Sequence, residues 1–181
     1  PVYTDCRVLM AYPAKRRLIR NFYIDAIKKS GVKYEVIAGT ATAGIPHASW
    51  IADKLNLPMV YVRGKAKDHG KENLMEGIIK KGQKAIVIED LISTGESAIN
   101  SVNAVREAGG EVSYVFSIIN YGIEKAKENF KQYKLKLISL TSFTDVVDEA
   151  ITSGRLKTEE KEIILEWIKD PLSWGKRIRF K

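Results

Sequence analysis

The sequence predicts an α/β domain built on a Rossmann-like parallel sheet flanked by helices, and three observations carry that expectation. Short unbroken runs rich in β-branched residues recur at 36–39, 59–62, 85–88 and 112–119, as expected of strands buried on both faces. Segments of helical period stand between them at 47–55 and 97–108, and strands alternating with helices give a parallel sheet. Two acids, Glu89 and Asp90, close the 85–88 run and are followed by small residues that open a helix. Open α/β sheets bind their ligands at that place, outside the carboxyl ends of the strands.

Taken in order, 2–4 reads as a short strand and 15–29 as a helix, and 1–33 together form a small hood over the carboxyl edge of the sheet. The chain opens on Pro1, so this hood is expected to be partial, with residues processed, cut away or missing upstream. The core, 34–140, starts with strand 36–39 and continues into Thr40, Ala41, Thr42, Ala43 and Gly44. Pro46 sits where a first helical turn tolerates it, ahead of helix 47–55. After strand 59–62, residues 63–77 are rich in Lys and Gly and lack an apolar period. They read as a long loop of the kind that closes over active sites. Helix 97–108 stops at Gly109 and Gly110, strand 112–119 follows, and 134–140 is the last strand. Residues 141–181 supply helices at 143–151 and 159–168, then Pro171 and a basic tail. The second of these helices begins after Thr158 with acids in its first turn, a favourable start. One domain accounts for the 181 residues.

Composition narrows the class. Hydrophobic content of 45% and charged content of 29% are those of an ordinary globular chain. No apolar stretch approaches a membrane span and no charged-then-apolar leader opens the sequence. A single cysteine, Cys6, excludes an internal disulfide and fits a reducing compartment, so a cytoplasmic protein is expected. His47 and His69 are the only other soft ligands, too few for a metal cluster. His47 reads as packing or surface, without a chemical role. The net charge of +8 is spread along the chain, often beside acids as in 157–162. It reads as a mixed-charge surface, not a nucleic-acid face.

The chemistry lies between Glu89 and Ser97. Ser93, Thr94, Gly95, Glu96 and Ser97 open a helix, where unpaired backbone N–H groups and a positive dipole end suit a phosphate. Glu89 and Asp90 cannot themselves favour that phosphate; they match neighbouring hydroxyls or a hydrated Mg²⁺. The ligand implied is a sugar phosphate with a vicinal diol. Neither a Gly-x-x-x-x-Gly-Lys-Ser/Thr loop nor a Gly-x-Gly-x-x-Gly turn occurs. The run Glu89, Asp90, Leu91, Ile92, Ser93, Thr94, Gly95, Glu96 and Ser97 instead resembles the phosphoribosyl-pyrophosphate (PRPP) signature of the type I phosphoribosyltransferases. That resemblance implies their fold, with Glu89 and Asp90 on the ribose 2′- and 3′-hydroxyls and the small-residue loop on the 5′-phosphate.

Three further segments resemble the orotate phosphoribosyltransferases within that family. Arg63, Lys67 and His69 stand in a stretch, Arg-Gly-Lys-Ala-Lys-Asp-His-Gly, similar to the family's catalytic loop, which implies contacts to pyrophosphate. The chemistry explains these residue types. Cations carried by a closing loop stabilise charge building on the leaving group, while nearby carboxylates favour an oxocarbenium-like ribose. His69 or Lys67 could also protonate the departing group. Thr40, Ala41, Thr42, Ala43 and Gly44 resemble the family's pyrophosphate loop, where small residues allow close backbone approach. Tyr3 and Thr4, in an opening segment similar to the family's hood strand, would face the pyrimidine together with Ser93.

The resemblance therefore implies an enzyme of pyrimidine biosynthesis. It would transfer the phosphoribosyl group of PRPP to orotate, giving orotidine 5′-monophosphate and pyrophosphate. Mg²⁺ would be held through PRPP and water, with no direct protein ligand, and a homodimer would share its active sites. The chain departs from the family at Gly64, where some members have Lys, and carries no Lys near Ala43. Glu96 replaces a common Gly, and its carboxylate is expected to point outward, away from the phosphate. The alternatives are a phosphoribosyltransferase for another base and a non-enzymatic PRPP-sensing regulator, which would have no need of Lys67 and His69.

Overall fold

The structure is a computed structural model that describes residues 4–64, 74–169 and 174. Its strands are β1 (Val36–Thr40), β2 (Met59–Val62), β3 (Met75–Glu76), β4 (Lys84–Ile88), β5 (Leu91–Ile92), β6 (Glu111–Asn120) and β7 (Lys136–Ser142). They form one seven-stranded sheet in the order β3-β2-β1-β4-β6, with β7 on the other edge of β6. The β5 strand prolongs the line of β4, pairing with the end of β6 after Glu89 and Asp90 interrupt the ladder. Every pairing is parallel except β2 with β3.

The strand sequences explain why both faces are covered. In β1 and β4, Val36, Ala38, Ala85 and Val87 point to one side, while Ile37, Ile86 and Ile88 point to the other. All are buried, so the runs are apolar without alternation. The first face is covered by α3 (Glu96–Glu107) and α4 (Glu124–Gln132), through residues such as Val102, Val105, Ala126 and Phe130. The second face takes α1 (Pro13–Ser30), α2 (Gly44–Leu55) and α5 (Phe143–Thr152), with α6 (Thr158–Lys169) packed beside them. Each Val, Ile or Phe removed from water here contributes about 1.5–3 kcal/mol.

Several expectations are corrected. The 15–29 helix is longer and does not roof the carboxyl edge; it lays Tyr23, Ile24 and Ile27 flat on the sheet face. Among the described residues, the turn from Thr4 through the 3₁₀ segment Cys6–Ala11 is what remains of the hood at that edge; Thr4 is not in a strand, and the rest of the expected 2–4 strand lies outside the described residues. The long loop is shorter than 63–77, because Met75–Glu76 pairs with β2 and the Arg63 N–H donates to the Leu74 carbonyl at 2.8 Å. Helix α4 was not foreseen. Its sequence is dominated by Lys and Glu, and Ala126, Asn129 and Phe130, buried at helical spacing on one face, form a stripe too short to stand out from that charge. Lys134, at φ 54, then turns the chain, and β7 starts two residues later than expected.

Helix α5 begins with a capping box: the Asp145 N–H donates to Ser142 Oγ at 3.1 Å, and the Ser142 N–H donates to Asp145 Oδ2 at 3.0 Å. This places Phe143 and Val147 in the core. Ser142→Ala should cost about 1 kcal/mol, lowering the thermal midpoint by roughly 2–4 °C for a chain of this size. A melting curve superimposable on wild type would contradict that role.

Candidate active site

The site is built where β4 ends. The Glu89 N–H still donates to Phe116 of β6 at 2.9 Å, and the Asp90 carbonyl accepts from both Ile118 and Ile119 at 3.0 and 3.2 Å. Tyr23, fully buried on α1, donates its hydroxyl to the Glu89 carbonyl at 2.6 Å. The backbone of the acid pair is thus clamped from β6 and from α1. Asp90 is half-buried, whereas Glu89 is only 4% exposed. Glu89 Oε1 accepts from the Asp90 N–H at 3.0 Å, and Ser97 Oγ lies 3.1 Å from Oε2. Burial, reinforced by the charge of Asp90, pushes the Glu89 carboxyl up to about 9. Its carboxyl is thereby biased toward the protonated form.

The loop after the acids is positioned by its backbone. Leu91 borders the cleft, while Ile92 is buried in the core and its carbonyl accepts from the Tyr121 N–H at 3.0 Å. Gly95 stands before α3 at φ 83, a left-handed conformation that suits glycine, and no side chain caps the helix. The first-turn N–H groups therefore have no side-chain cap. Helix α4 supports this loop: Asn129 Nδ2 donates to the Thr94 carbonyl at 3.0 Å, and Phe130 fills the space that a Cβ on Gly95 would need. Glu96 is exposed, consistent with an outward carboxylate.

Thr40 ends β1 and is buried, with no hydrogen bond to its Oγ1 among the described residues. The Ala41 N–H donates to Val62 of β2 at 2.9 Å, and the Ala41–Thr42 peptide is cis. A Cβ on Gly44 would overlap the carbonyl oxygen of Ile88, so this loop lies directly on the end of β4.

These pieces enclose a cleft of about 530 Å³. Ala41, Thr42, Ala43, Glu89, Asp90, Ser93 and Ser97 border it on the sheet side. Thr4, Asp5, Arg7, Tyr121 and Trp167 border it on the other. Arg63 lies elsewhere, in an adjoining groove of about 270 Å³ with Thr40, Ala41 and Ser97, where its guanidinium is 3.6 Å from Glu76. Lys67, His69 and Tyr3 lie outside the described residues. His47 is a packing residue: buried between Tyr23 and Trp50, its ring is pushed toward the neutral form by burial. Sequence reasoning missed Tyr23, Asn129, Tyr121 and Trp167. Each acts by a tertiary contact from a distant element, and none sits in a motif.

This cleft at the carboxyl edge, with its acid pair and two small-residue loops, is that of a phosphoribosyl transferase domain, and the chain belongs to that family, which matches residues 10–154. Within it the chain groups with the orotate phosphoribosyltransferases. The enzyme of that name from Listeria monocytogenes serotype 4b is 46% identical over 176 residues, covering 97% of this chain and 84% of the relative. The crystal structure of orotate phosphoribosyltransferase from Aeropyrum pernix matches with a TM-score of 0.74 at 26% identity, covering 81% of this chain and 82% of that one. That of Mycobacterium tuberculosis H37Rv in complex with PRPP matches with a TM-score of 0.64 at 26% identity, covering 79% and 82%.

The Glu89 carboxyl gives a pH test. An unfolded glutamate loses its proton near 4.5, while the folded chain holds it to about 9. Between those values the unfolded state binds fewer protons, so this group's contribution to stability falls as pH rises. Glu89→Gln cannot titrate and should flatten that fall. Thermal unfolding from pH 5 to 9 should show wild type losing ground steadily to the variant; parallel curves would refute the shifted carboxyl.

Proposed function

We propose that the chain catalyses Mg²⁺-dependent transfer of the 5-phosphoribosyl group from PRPP to orotate, in the cytoplasm, as a homodimer with shared active sites. The carrying observation is the single cleft that joins the acid pair to two backbone loops suited to anions. In this reading the N–H groups of Ser93 to Ser97, at the start of α3, take the 5′-phosphate. Glu89 and Asp90 take the vicinal ribose hydroxyls, protonated Glu89 able to donate and Asp90 to accept. The backbone of Thr40 to Gly44 takes pyrophosphate.

The C1′–oxygen bond to pyrophosphate breaks as the bond from C1′ to a ring nitrogen of orotate forms, and that nitrogen's proton leaves to pyrophosphate or solvent. The Asp90 carboxylate beside the ribose favours positive character at C1′. Arg63, Lys67 and His69 stabilise the departing charge. Mg²⁺ fits this donor set as a substrate-borne ion. Among the described residues no group of three Asp, Glu, His or Cys side chains is placed to hold a metal, and Mg²⁺ usually keeps waters and substrate phosphates as ligands. Asp90 and Glu89 would face its water shell, and the bound ion would offset charge on the leaving group.

The decisive assay follows orotate absorbance after PRPP and Mg²⁺ are added, with Lys67→Ala as control. Loss of orotate should require both additions and fall by roughly 10²-fold or more in the variant. PRPP binding without turnover of orotate would point to another base. Mixing Lys67→Ala with Asp90→Asn chains should restore part of the activity by pairing one intact loop with one intact ribose site. Verified mixed dimers that stay inactive would exclude the shared site.

A further inference from the structure

We propose that the outer groove between α1 and α2 is a phosphate-binding site, separate from the cleft, in which Arg16, Arg17 and Arg20 receive the dianion of a phosphate group beside the Trp50 indole. The three arginines and Trp50 line a pocket of about 160 Å³. That space holds a phosphate group and leaves the remainder of a phosphomonoester outside, against the rim. The site goes beyond the reaction proposed above and does not rest on it, since none of its residues borders the cleft.

The charges here require a counter-ion that the described chain does not supply. Helical period brings Arg16 and Arg20 onto one flank of α1, with Arg17 beside them. Like charges four positions apart oppose a helix. Arg16 and Arg17 also stand near the positive end of the helix dipole, where anions and not cations are favoured. The first turn of α1 has no acidic residue, and no side chain caps it. Elsewhere on the surface cations meet carboxylates, as Lys125 meets Glu128, Lys127 meets Glu124 and Lys161 meets Asp148. Among the described residues, no carboxylate lies within ion-pair distance of Arg16, Arg17 or Arg20.

Two of the three guanidinium forks are held in place. That of Arg16 lies over the Trp50 ring, 5.2 Å from its centroid, and its NH1 nitrogen donates to the Met10 carbonyl at 3.3 Å. Trp50 is seated from within, its ring edge-on to the buried His47 at 5.3 Å between centroids. Arg20 is braced within its own helix, with Nε and NH2 donating to Asn21 Oδ1 at 3.3 and 3.1 Å. A guanidinium carries five N–H donors, so both keep N–H groups for a further acceptor. Arg17 is exposed beside them. Forks of this kind take phosphate oxygens in pairs through short, charge-assisted bonds. Three of them round one pocket can share the oxygens of a tetrahedral dianion, whereas a carboxylate offers only two.

Calorimetric titration of the purified full chain with inorganic phosphate, at fixed ionic strength, tests this, with melting in phosphate-free buffer to confirm that each variant is folded. The chain carrying both Arg17→Gln and Arg20→Gln should bind one phosphate fewer than wild type, its affinity at the groove falling about tenfold or more. Arg17→Lys with Arg20→Lys should recover part of the loss, because it keeps the charge without the fork. A nucleoside monophosphate titrated in the same way separates the sources. Tighter binding that Trp50→Phe weakens assigns the site to a phosphate ester with a ring against the indole, and equal binding assigns it to free phosphate. The same phosphate stoichiometry and affinity in wild type and the glutamine variant, zero binding included, would overturn the site. So would a glutamine variant that keeps its phosphate while its sedimentation shows a changed oligomeric state, since the groove would then be a contact between copies of the chain.

Discussion

The site depends on a carboxyl that the fold keeps out of water. Glu89 ends a central strand with both faces covered, so desolvation raises its proton affinity before any ligand arrives. Such a group costs stability unless its oxygens and its backbone are partnered. The partners are the Asp90 N–H, the Ser97 hydroxyl, the β6 ladder and the Tyr23 hydroxyl. Together they draw the start of α3, the end of β6 and the middle of α1 onto one point. Much of the surrounding architecture can be understood as the enclosure that this residue requires.

Phosphate loops make a different demand. They need N–H groups that nothing in the protein satisfies, and hence a backbone held open by its neighbours. The Ser93–Ser97 segment, proposed for that role, has Gly95, whose conformation avoids Phe130, and Asn129, which engages the Thr94 carbonyl and leaves the N–H groups alone. A short, strongly charged helix, α4, thereby acquires a purpose that its own composition hides.

What was legible in the sequence was what is local. Strand, acids, loop and helix around Glu89 and Asp90 could be read because a buried run, a polar interruption and a glycine-bearing turn follow one another along the chain. The same holds for the Thr40–Gly44 loop between β1 and α2. What was not legible came from packing. The 15–29 helix looked like a cover over the edge, yet Tyr23 and Ile27 commit it to the sheet face. Helix α4 was overlooked because its helical period is carried by three residues in a charged stretch, which suffice where a loop must only be propped. Tyr121 and Trp167 reach the cleft through contacts with Thr4 and with each other that no spacing along the sequence encodes.

Gly44 gives the fold an unusual division of labour. Because the Thr40–Gly44 loop rests on the Ile88 carbonyl with no side chain between them, the distance between the segments proposed to hold leaving group and sugar is a property of two main chains in contact. Side-chain drift cannot easily lengthen it. The elements on the other side of the cleft, by contrast, join from the periphery as a short turn, one tyrosine and a helix near the end of the described chain. Substitutions there can change which ring is accepted without altering the span across which the glycosidic bond is exchanged. The molecule combines a fixed gauge with a replaceable jaw, and variation among relatives should accumulate at the jaw.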